Sequence, residues 1–168
     1  MGTDDADWER RLAALWARVD DIGEADFLAQ MAALTGELPA DNPVGVFERA
    51  GAFDSTGHTD RAVPLYREAI ALGLRGFRRR QAVIQLASSL RVLGQASEAV
   101  ALLENERARG SDGLDDALAA FLALAMADTG REREALALAL TALAPHLLRY
   151  QRSVTNYARM LGESDSGR

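Results

Sequence analysis

A glycine recurs along this chain at nearly equal intervals, and the residues around it recur with it. Gly57, Gly94 and Gly130 lie 37 and 36 residues apart, within "STGHTDRAVPLY", "VLGQASEAVALL" and "DTGREREALALA". An alanine stands seven residues before each glycine and another five residues after it: Ala50, Ala62, Ala87, Ala99, Ala123 and Ala135. This repeat constrains the fold more than any other feature, because each copy must form the same supersecondary unit.

Apolar residues, most of them large, recur at helical spacing on both sides of the glycine. Phe53, Leu90 and Met126 lie four residues before it, and Tyr66, Leu103 and Ala139 lie nine residues after it. Offsets of three and four residues mark one face of a helix, and glycine can adopt the left-handed conformation that ends a helix. Each copy is therefore predicted to be an antiparallel helix hairpin that crosses closely at its alanines. Because one hairpin cannot bury both of its faces, neighbouring hairpins must stack.

The composition agrees with one helical domain. The chain has 168 residues, of which 48% are hydrophobic and only four are proline. No segment alternates in the manner of a strand. We predict an all-α fold, a right-handed α-solenoid of stacked antiparallel hairpins that forms a single domain over residues 1–168. Its parts are a degenerate N-terminal hairpin around Gly23, three repeats and a C-terminal capping helix, at 4–37, 43–74, 77–110, 114–144 and 146–162.

Several features at the ends of the predicted elements refine this picture. Asp41 or Asn42 is expected to cap the first full repeat, with Pro43 in its first turn. Trp8 and Trp16 are large residues in the degenerate hairpin, and we expect them to close that end of the stack.

Composition also excludes several classes of function. The net charge of −6 argues against general affinity for nucleic acids, since phosphates repel an acidic surface. The chain has no cysteine and no apolar run of about 20 residues, and its first residues lack an apolar signal segment, so we expect a cytoplasmic protein without a membrane span. No phosphate-binding loop and no nucleophile elbow occurs, and neither histidine lies among acids at ligand spacing. We therefore expect no catalytic residue, no metal and no cofactor.

With these residues in place, the chain resembles the tetratricopeptide repeat family. The stretches "FERAGAFDSTGHTDRAVPLYREAIALGL" and "RRRQAVIQLASSLRVLG" resemble, more narrowly, the bacterial subgroup called tetratrico peptide repeat group 5. The resemblance covers residues 43–161. It implies an α-solenoid that binds another protein or a peptide and is not an enzyme.

In such a stack the first helix of each hairpin lines the concave surface. The resemblance and the position of each glycine give the following partner-binding candidates: Phe47, Glu48, Asp54, Gln81, Gln85, Ser88, Arg91, Phe121, Leu124 and Asp128. Phe47 and Phe121 are expected to be exposed apolar anchors, and the polar side chains are expected to fix the register of a bound peptide. The other interpretation is that Phe121 and Leu124 only pack against the capping helix.

The segment "RGFRRRQ" places Arg78, Arg79 and Arg80 at the start of a predicted helix, where cations oppose the helix dipole. Either neighbouring acids offset this cost, with Glu48, Asp54 and Glu68 as candidates, or an acidic or phosphorylated partner binds the run.

Three alternatives to a peptide-binding scaffold stay open at this point. The first is a self-associating structural module, a homodimer through its terminal helices or its groove. The second is contact with a nucleic acid through the arginine run, and the third is an enzyme without a recognisable motif.

Overall fold

The structure is a computed structural model that describes residues 3–163, and every regular element in that range is a helix. The nine α-helices of these residues are α1 Thr3–Trp16, α2 Glu24–Thr35, α3 Pro43–Ser55, α4 Thr59–Ala71, α5 Gly76–Val92, α6 Ala96–Ala108, α7 Asp115–Ala127, α8 Glu132–Leu143 and α9 Gln151–Glu163. A short 3-10 helix, Ala144–His146, follows α8 directly. The prediction of an all-α fold built from helix hairpins is confirmed.

The chain divides into two compact units, with the division between Ala82 and Val83 inside α5. In the first unit α1 contacts α2, α2 contacts α3, and α3 contacts α4. In the second unit α6 contacts α7, α7 contacts α8, and α8 contacts α9. Within each unit, consecutive helices therefore pack on one another.

The three repeated glycines end the first helix of their hairpins in the left-handed conformation, as predicted. Gly57, Gly94 and Gly130 have φ angles of 83°, 78° and 79°. After each of them, the amide of the next residue donates to the carbonyl five residues earlier, as in His58 to Phe53 at 2.8 Å. The glycine amide itself donates to the carbonyl three residues earlier. These two bonds form a Schellman motif, which satisfies carbonyls that the end of a helix leaves without a partner.

The six repeated alanines are all buried, and none is more than 6% exposed. Large residues beside them are fully buried in the first two full hairpins, where Tyr66, Leu90 and Leu103 are inaccessible to solvent. The third hairpin is less covered, because Ala135 is the one residue of α8 that is buried. The close crossing predicted from the small residues is thus accompanied by burial in every hairpin.

The first full repeat begins at the predicted cap. The side-chain oxygen of Asn42 accepts hydrogen bonds from the amides of Val44 and Gly45, and Pro43 is the first residue of α3. Pro64 lies inside α4 at an exposed position, and α4 still begins at Thr59.

The degenerate N-terminal hairpin differs from the repeats at its turn. Gly23 has φ −62° and ψ 149°, and it precedes α2 as an extended residue. Helix α1 ends at Trp16, so a loop separates the two helices where the repeats have a single glycine turn. The sequence predicts a degenerate copy here, and the loop and the extended Gly23 are the points at which it departs from the three repeats.

The C-terminal helix begins later than the predicted start at residue 146. The chain becomes extended at Leu147, and Tyr150 takes a left-handed conformation with φ 69° immediately before α9. These two residues interrupt the helical spacing on which the earlier start rested. The helix α9 also exposes Tyr157 and Met160, whereas a capping helix was expected to present a polar face.

Candidate functional site

The predicted site residues of α3 lie inside the first unit and not on its surface. Phe47 is 6% exposed and Glu48 is 5% exposed. The Phe47 ring packs at a tilt against Tyr66, with 6.2 Å between the ring centroids. The expectation that Phe47 is an exposed anchor is therefore wrong, because Phe47 packs into the core with Tyr66.

Trp16 covers this part of α3. A methyl group added at Gly51 would lie 3.3 Å from the Trp16 indole, so the absence of a side chain at Gly51 makes room for that ring. The indole Nε1 donates a hydrogen bond of 2.8 Å to Glu48 Oε2. A large residue of α1 thus occupies the surface that the sequence assigned to a partner.

Glu48 is a buried carboxylate with two donors. Besides Trp16, Arg78 Nε donates to Glu48 Oε1 at 3.1 Å. Burial raises the pKa of Glu48 above its ordinary value, and this effect outweighs the stabilisation of the charged form by Trp16 and Arg78. The carboxylate therefore carries a net desolvation cost even with both donors in place.

Arg78 also joins α5 to α1. Its two terminal nitrogens donate to the two carboxylate oxygens of Glu9, at 2.9 Å and 2.6 Å. Bidentate pairing of this kind is the strong form of an arginine–carboxylate contact. The hydrogen bonds that Arg78 donates to Glu9 and Glu48 raise the pKa of Arg78, which keeps the guanidinium charged. The chain itself thus supplies the acids that the sequence required for this cation, and Glu9 was not among the acids that we named.

The rest of the arginine run is also engaged within the chain. Arg80 is 5% exposed, Arg79 is half-buried, and both make polar or electrostatic interactions inside the molecule. Gln81 is half-buried in the next position of α5. This leaves little accessible positive charge for an anionic partner.

Asp54 lies half-buried near the end of α3. Its carboxylate accepts a hydrogen bond of 3.3 Å from the hydroxyl of Tyr66. Burial, followed by the negative charge of Asp54, raises the pKa of Tyr66 above its ordinary value, so the phenol stays protonated as a donor. The side chain of Asp54 therefore supports the interior of the hairpin.

The candidate residues of the second unit are more accessible. The first-helix candidates of this unit lie on two helices, and we call them together the α5–α7 face. They are Gln85, Ser88 and Arg91 on α5 and Phe121, Leu124 and Asp128 on α7. Gln85, Ser88 and Phe121 are half-buried, and Leu124 is 48% exposed. None of the six is buried in the manner of Phe47.

One contact joins the two helices of this face. Arg91 Nη1 donates a hydrogen bond of 2.9 Å to Asp128 Oδ2. The two residues are 37 positions apart in the chain, and the glycines of their repeats, Gly94 and Gly130, are 36 positions apart. Arg91 lies three residues before Gly94 and Asp128 lies two residues before Gly130, so neighbouring, not identical, repeat positions of successive first helices lie side by side.

The α5–α7 face also contains polar atoms without partners. The side-chain oxygen Oε1 of Gln85 and the nitrogen Nε of Arg91 are both buried, and neither has a hydrogen-bond partner in the described part of the chain. A buried amide oxygen without a donor is costly for the folded state.

Both histidines lie beside an acid. His58 Nε2 lies 2.6 Å from Glu24 Oε1, and His146 Nε2 lies 2.9 Å from Asp116 Oδ2, so each contacts one carboxylate. Within residues 3–163 no three histidines or acids come together in a way that could hold a metal ion. Over the same residues, none of the helices combines the length and apolar character that crossing a membrane requires.

Sequence reasoning placed Trp16 at the end of the stack but did not predict its bond to Glu48, and it missed Glu9. A signal existed for Trp16, because it stands where the other copies have a small alanine. No local signal marked Glu9, whose partner Arg78 is 69 positions away in the chain.

Comparison with known proteins gives one match. The family model described as tetratrico peptide repeat, group 5, matches residues 43–161. The chain has no match among curated proteins and none among solved structures. The matched range contains the three glycine-centred hairpins and α9, and it covers well over half of the sequence. The repeat geometry and the family match lead to the same conclusion: the chain belongs to the tetratricopeptide repeat family.

Proposed function

We propose that this protein is a non-catalytic scaffold that binds a peptide segment of another protein on the α5–α7 face. Repeats of this family generally mediate protein–protein interaction. Within the first unit, Trp16 and the ion pairs of Arg78 occupy the corresponding first-helix surface. The accessible candidates therefore remain those of the second unit.

The observation that carries this proposal is the pairing of an apolar anchor with an orphan acceptor on the same face. Leu124 exposes about half of its side chain, and Gln85 holds a buried oxygen without a donor. An extended peptide can pack an apolar side chain on Leu124, and its backbone N–H groups can bond the Gln85 oxygen when that half-buried side chain turns toward the surface. Because helices hold both groups in place, binding orders little of the protein itself, which favours affinity.

The test uses peptides selected from a random library displayed on phage against the immobilised protein. Affinities of the selected peptides are measured by calorimetry for the wild type, Gln85→Ala and Leu124→Ala, with Arg107→Ala on the exposed surface of α6 as the matched control. We expect each face variant to raise the dissociation constant at least about tenfold, the effect of losing about 1.4 kcal/mol. Equal affinities for all four proteins would overturn the assignment of this face.

We infer a structural role for Arg78, Arg79 and Arg80, since carboxylates hold Arg78 and since all three side chains interact within the chain. Replacing Arg79 and Arg80 with glutamine should lower stability without reducing capture of the selected peptides. Retention of nucleic acid at low salt that these two substitutions abolish would instead favour contact with a nucleic acid.

Self-association through terminal helices is a second candidate function, and the exposed apolar side chains of α9 favour it. Light scattering over a range of concentrations separates a self-associating module from a monomeric adaptor. The cytoplasmic location and the bacterial origin stay predictions from the sequence.

A further inference from the structure

Helices α8 and α9 present exposed apolar side chains that the peptide-binding proposal does not use. Tyr157 is 63% exposed and Met160 is 56% exposed on α9, and Leu136 and Leu143 are about half exposed on α8. Ser153, Tyr157 and Met160 follow one another at offsets of four and three residues, so they form one stripe along α9. We call these residues of the two helices the α8–α9 face.

Positive charge without acidic partners surrounds this face. Arg133, Arg149 and Arg152 are exposed, and none of the three makes an ion pair in the described part of the chain. Residues 131–163 contain five arginines against three glutamates, although the whole chain carries a net charge of −6. An apolar surface with this rim favours an acidic partner.

The α1–α2 hairpin presents a surface with the opposite charge. Residues 6–41 contain eight acids against three arginines. Asp20, Asp21 and Asp26 are exposed and make no ion pair in the described part of the chain. We call the exposed side of this hairpin, on which Asp26, Gln30 and Ala33 lie, the α1–α2 face.

An open cleft with an apolar floor lies on the α1–α2 face. Its volume is about 270 Å³, and it is lined by Arg11, Leu15, Gln30, Ala33, Leu34 and Glu37. The leucines and the alanine can receive an apolar or aromatic side chain, and Gln30 and the Arg11–Glu37 pair can bond a phenolic hydroxyl at the rim. An aromatic side chain in a pocket of this kind is a typical centre of an interface.

The two faces also agree in spacing. Asp26, Gln30 and Ala33 on α2 follow one another at offsets of four and three residues, as do Ser153, Tyr157 and Met160 on α9. At about 1.5 Å per residue, Asp26 lies roughly 10 Å from Ala33 along α2, and Arg152 lies roughly 12 Å from Met160 along α9. A copy of α9 laid along α2 can therefore bring Arg152 to Asp26 while Tyr157 and Met160 reach the cleft.

We propose that copies of this chain bind one another head to tail, with the α8–α9 face of one copy on the α1–α2 face of the next. The contact joins two different surfaces, so one copy uses its α8–α9 face where its neighbour uses its α1–α2 face. The proposal is independent of the α5–α7 face.

Sedimentation velocity over a wide range of protein concentration tests the proposal. We expect the wild type to self-associate, and we expect the apparent dissociation constant to rise at least about tenfold between about 50 mM and about 500 mM salt, since salt screens the charge attraction. Ala33→Arg fills the cleft and adds a cation to the acidic face, and Tyr157→Ser removes the anchor. Each should be monomeric, while the matched exposed controls Ala101→Arg and Leu93→Ser should associate like the wild type.

Mixing the two variants separates the proposal from a symmetric dimer. Ala33→Arg keeps an intact α8–α9 face and Tyr157→Ser keeps an intact α1–α2 face, so an equimolar mixture should give a heterodimer and nothing larger. A symmetric dimer through α9 would leave Ala33→Arg dimeric by itself and the mixture without a heterodimer, and this result would overturn the proposal. A wild type that stays monomeric at every concentration would overturn it as well.

Discussion

Trp16 and Glu48 are 32 positions apart in the chain, and the indole Nε1 of the one donates a hydrogen bond of 2.8 Å to the carboxylate of the other. This bond holds α1 against a buried acid of α3 on the first-helix surface. It is the reason that this surface is covered in the first unit.

Replacing Trp16 with phenylalanine should lower the free energy of unfolding by about 2 kcal/mol at neutral pH, because it leaves a buried charged acceptor with one donor fewer. Urea unfolding measures this change. At acid pH Glu48 is protonated and the loss should shrink, so a loss independent of pH would contradict the assignment to the charged bond.

The raised pKa of Glu48 predicts a pH dependence of stability with a definite sign. At pH values between the ordinary pKa of Glu48, 4.5, and its higher pKa in the fold, the folded protein binds more protons than the unfolded chain. The stability that protonated Glu48 contributes is therefore present in full below pH 4.5, and it is lost as the pH rises through the pKa of the folded state.

Urea unfolding of the wild type and of Glu48→Gln from pH 4 to pH 8 measures this contribution. The pH range starts below 4.5 and extends upward because the pKa of Glu48 is raised in the fold. The free energy of unfolding of the wild type should fall relative to the variant as the pH rises. Glu37 and Glu134 have lowered pKa values because arginines bond them, and they act in both proteins alike. A difference that grows in favour of the wild type with rising pH would refute the prediction.

Replacing Gly94 with alanine should destabilise the protein by about 1 kcal/mol. The cost is backbone strain, since φ is 78° and nothing within 4 Å would collide with the new methyl group. Gly113→Ala is the matched control: its surroundings are also open, but its φ lies outside the left-handed region, so the substitution should be neutral or slightly stabilising. Equal thermal midpoints for the two variants would count against the left-handed turn.

Replacing Ala99 with leucine should destabilise the protein by about 2 kcal/mol, because the added atoms must enter a fully buried position at the helix crossing. Ala101→Leu on the same helix is exposed and should change the stability by no more than about 0.5 kcal/mol. Denaturant unfolding of both variants provides the comparison, and a tolerated leucine at position 99 would remove the argument for a close crossing.

Several predictions from the sequence depended on local or periodic features, and these predictions agree with the structure. The glycine turns follow from backbone conformation, the buried alanines from helical spacing, and the start of α3 from the cap at Asn42. The candidates of the second unit stay predictions, although Arg91 and Asp128 of successive first helices bond each other.

The sequence by itself determined that the chain is helical, where the three repeat hairpins turn and which small residues are buried between their helices, because these properties depend on neighbours within about 40 positions. Only the tertiary structure decided which first-helix residues remain accessible. Phe47 and Glu48 have the same spacing as the residues of an exposed face, but exposure depends on what packs above a residue, and here Trp16 and Arg78 do so from distant helices. The exposure of Tyr157 was decided in the same way, since a stripe on α9 is covered or open according to whether another helix lies against it.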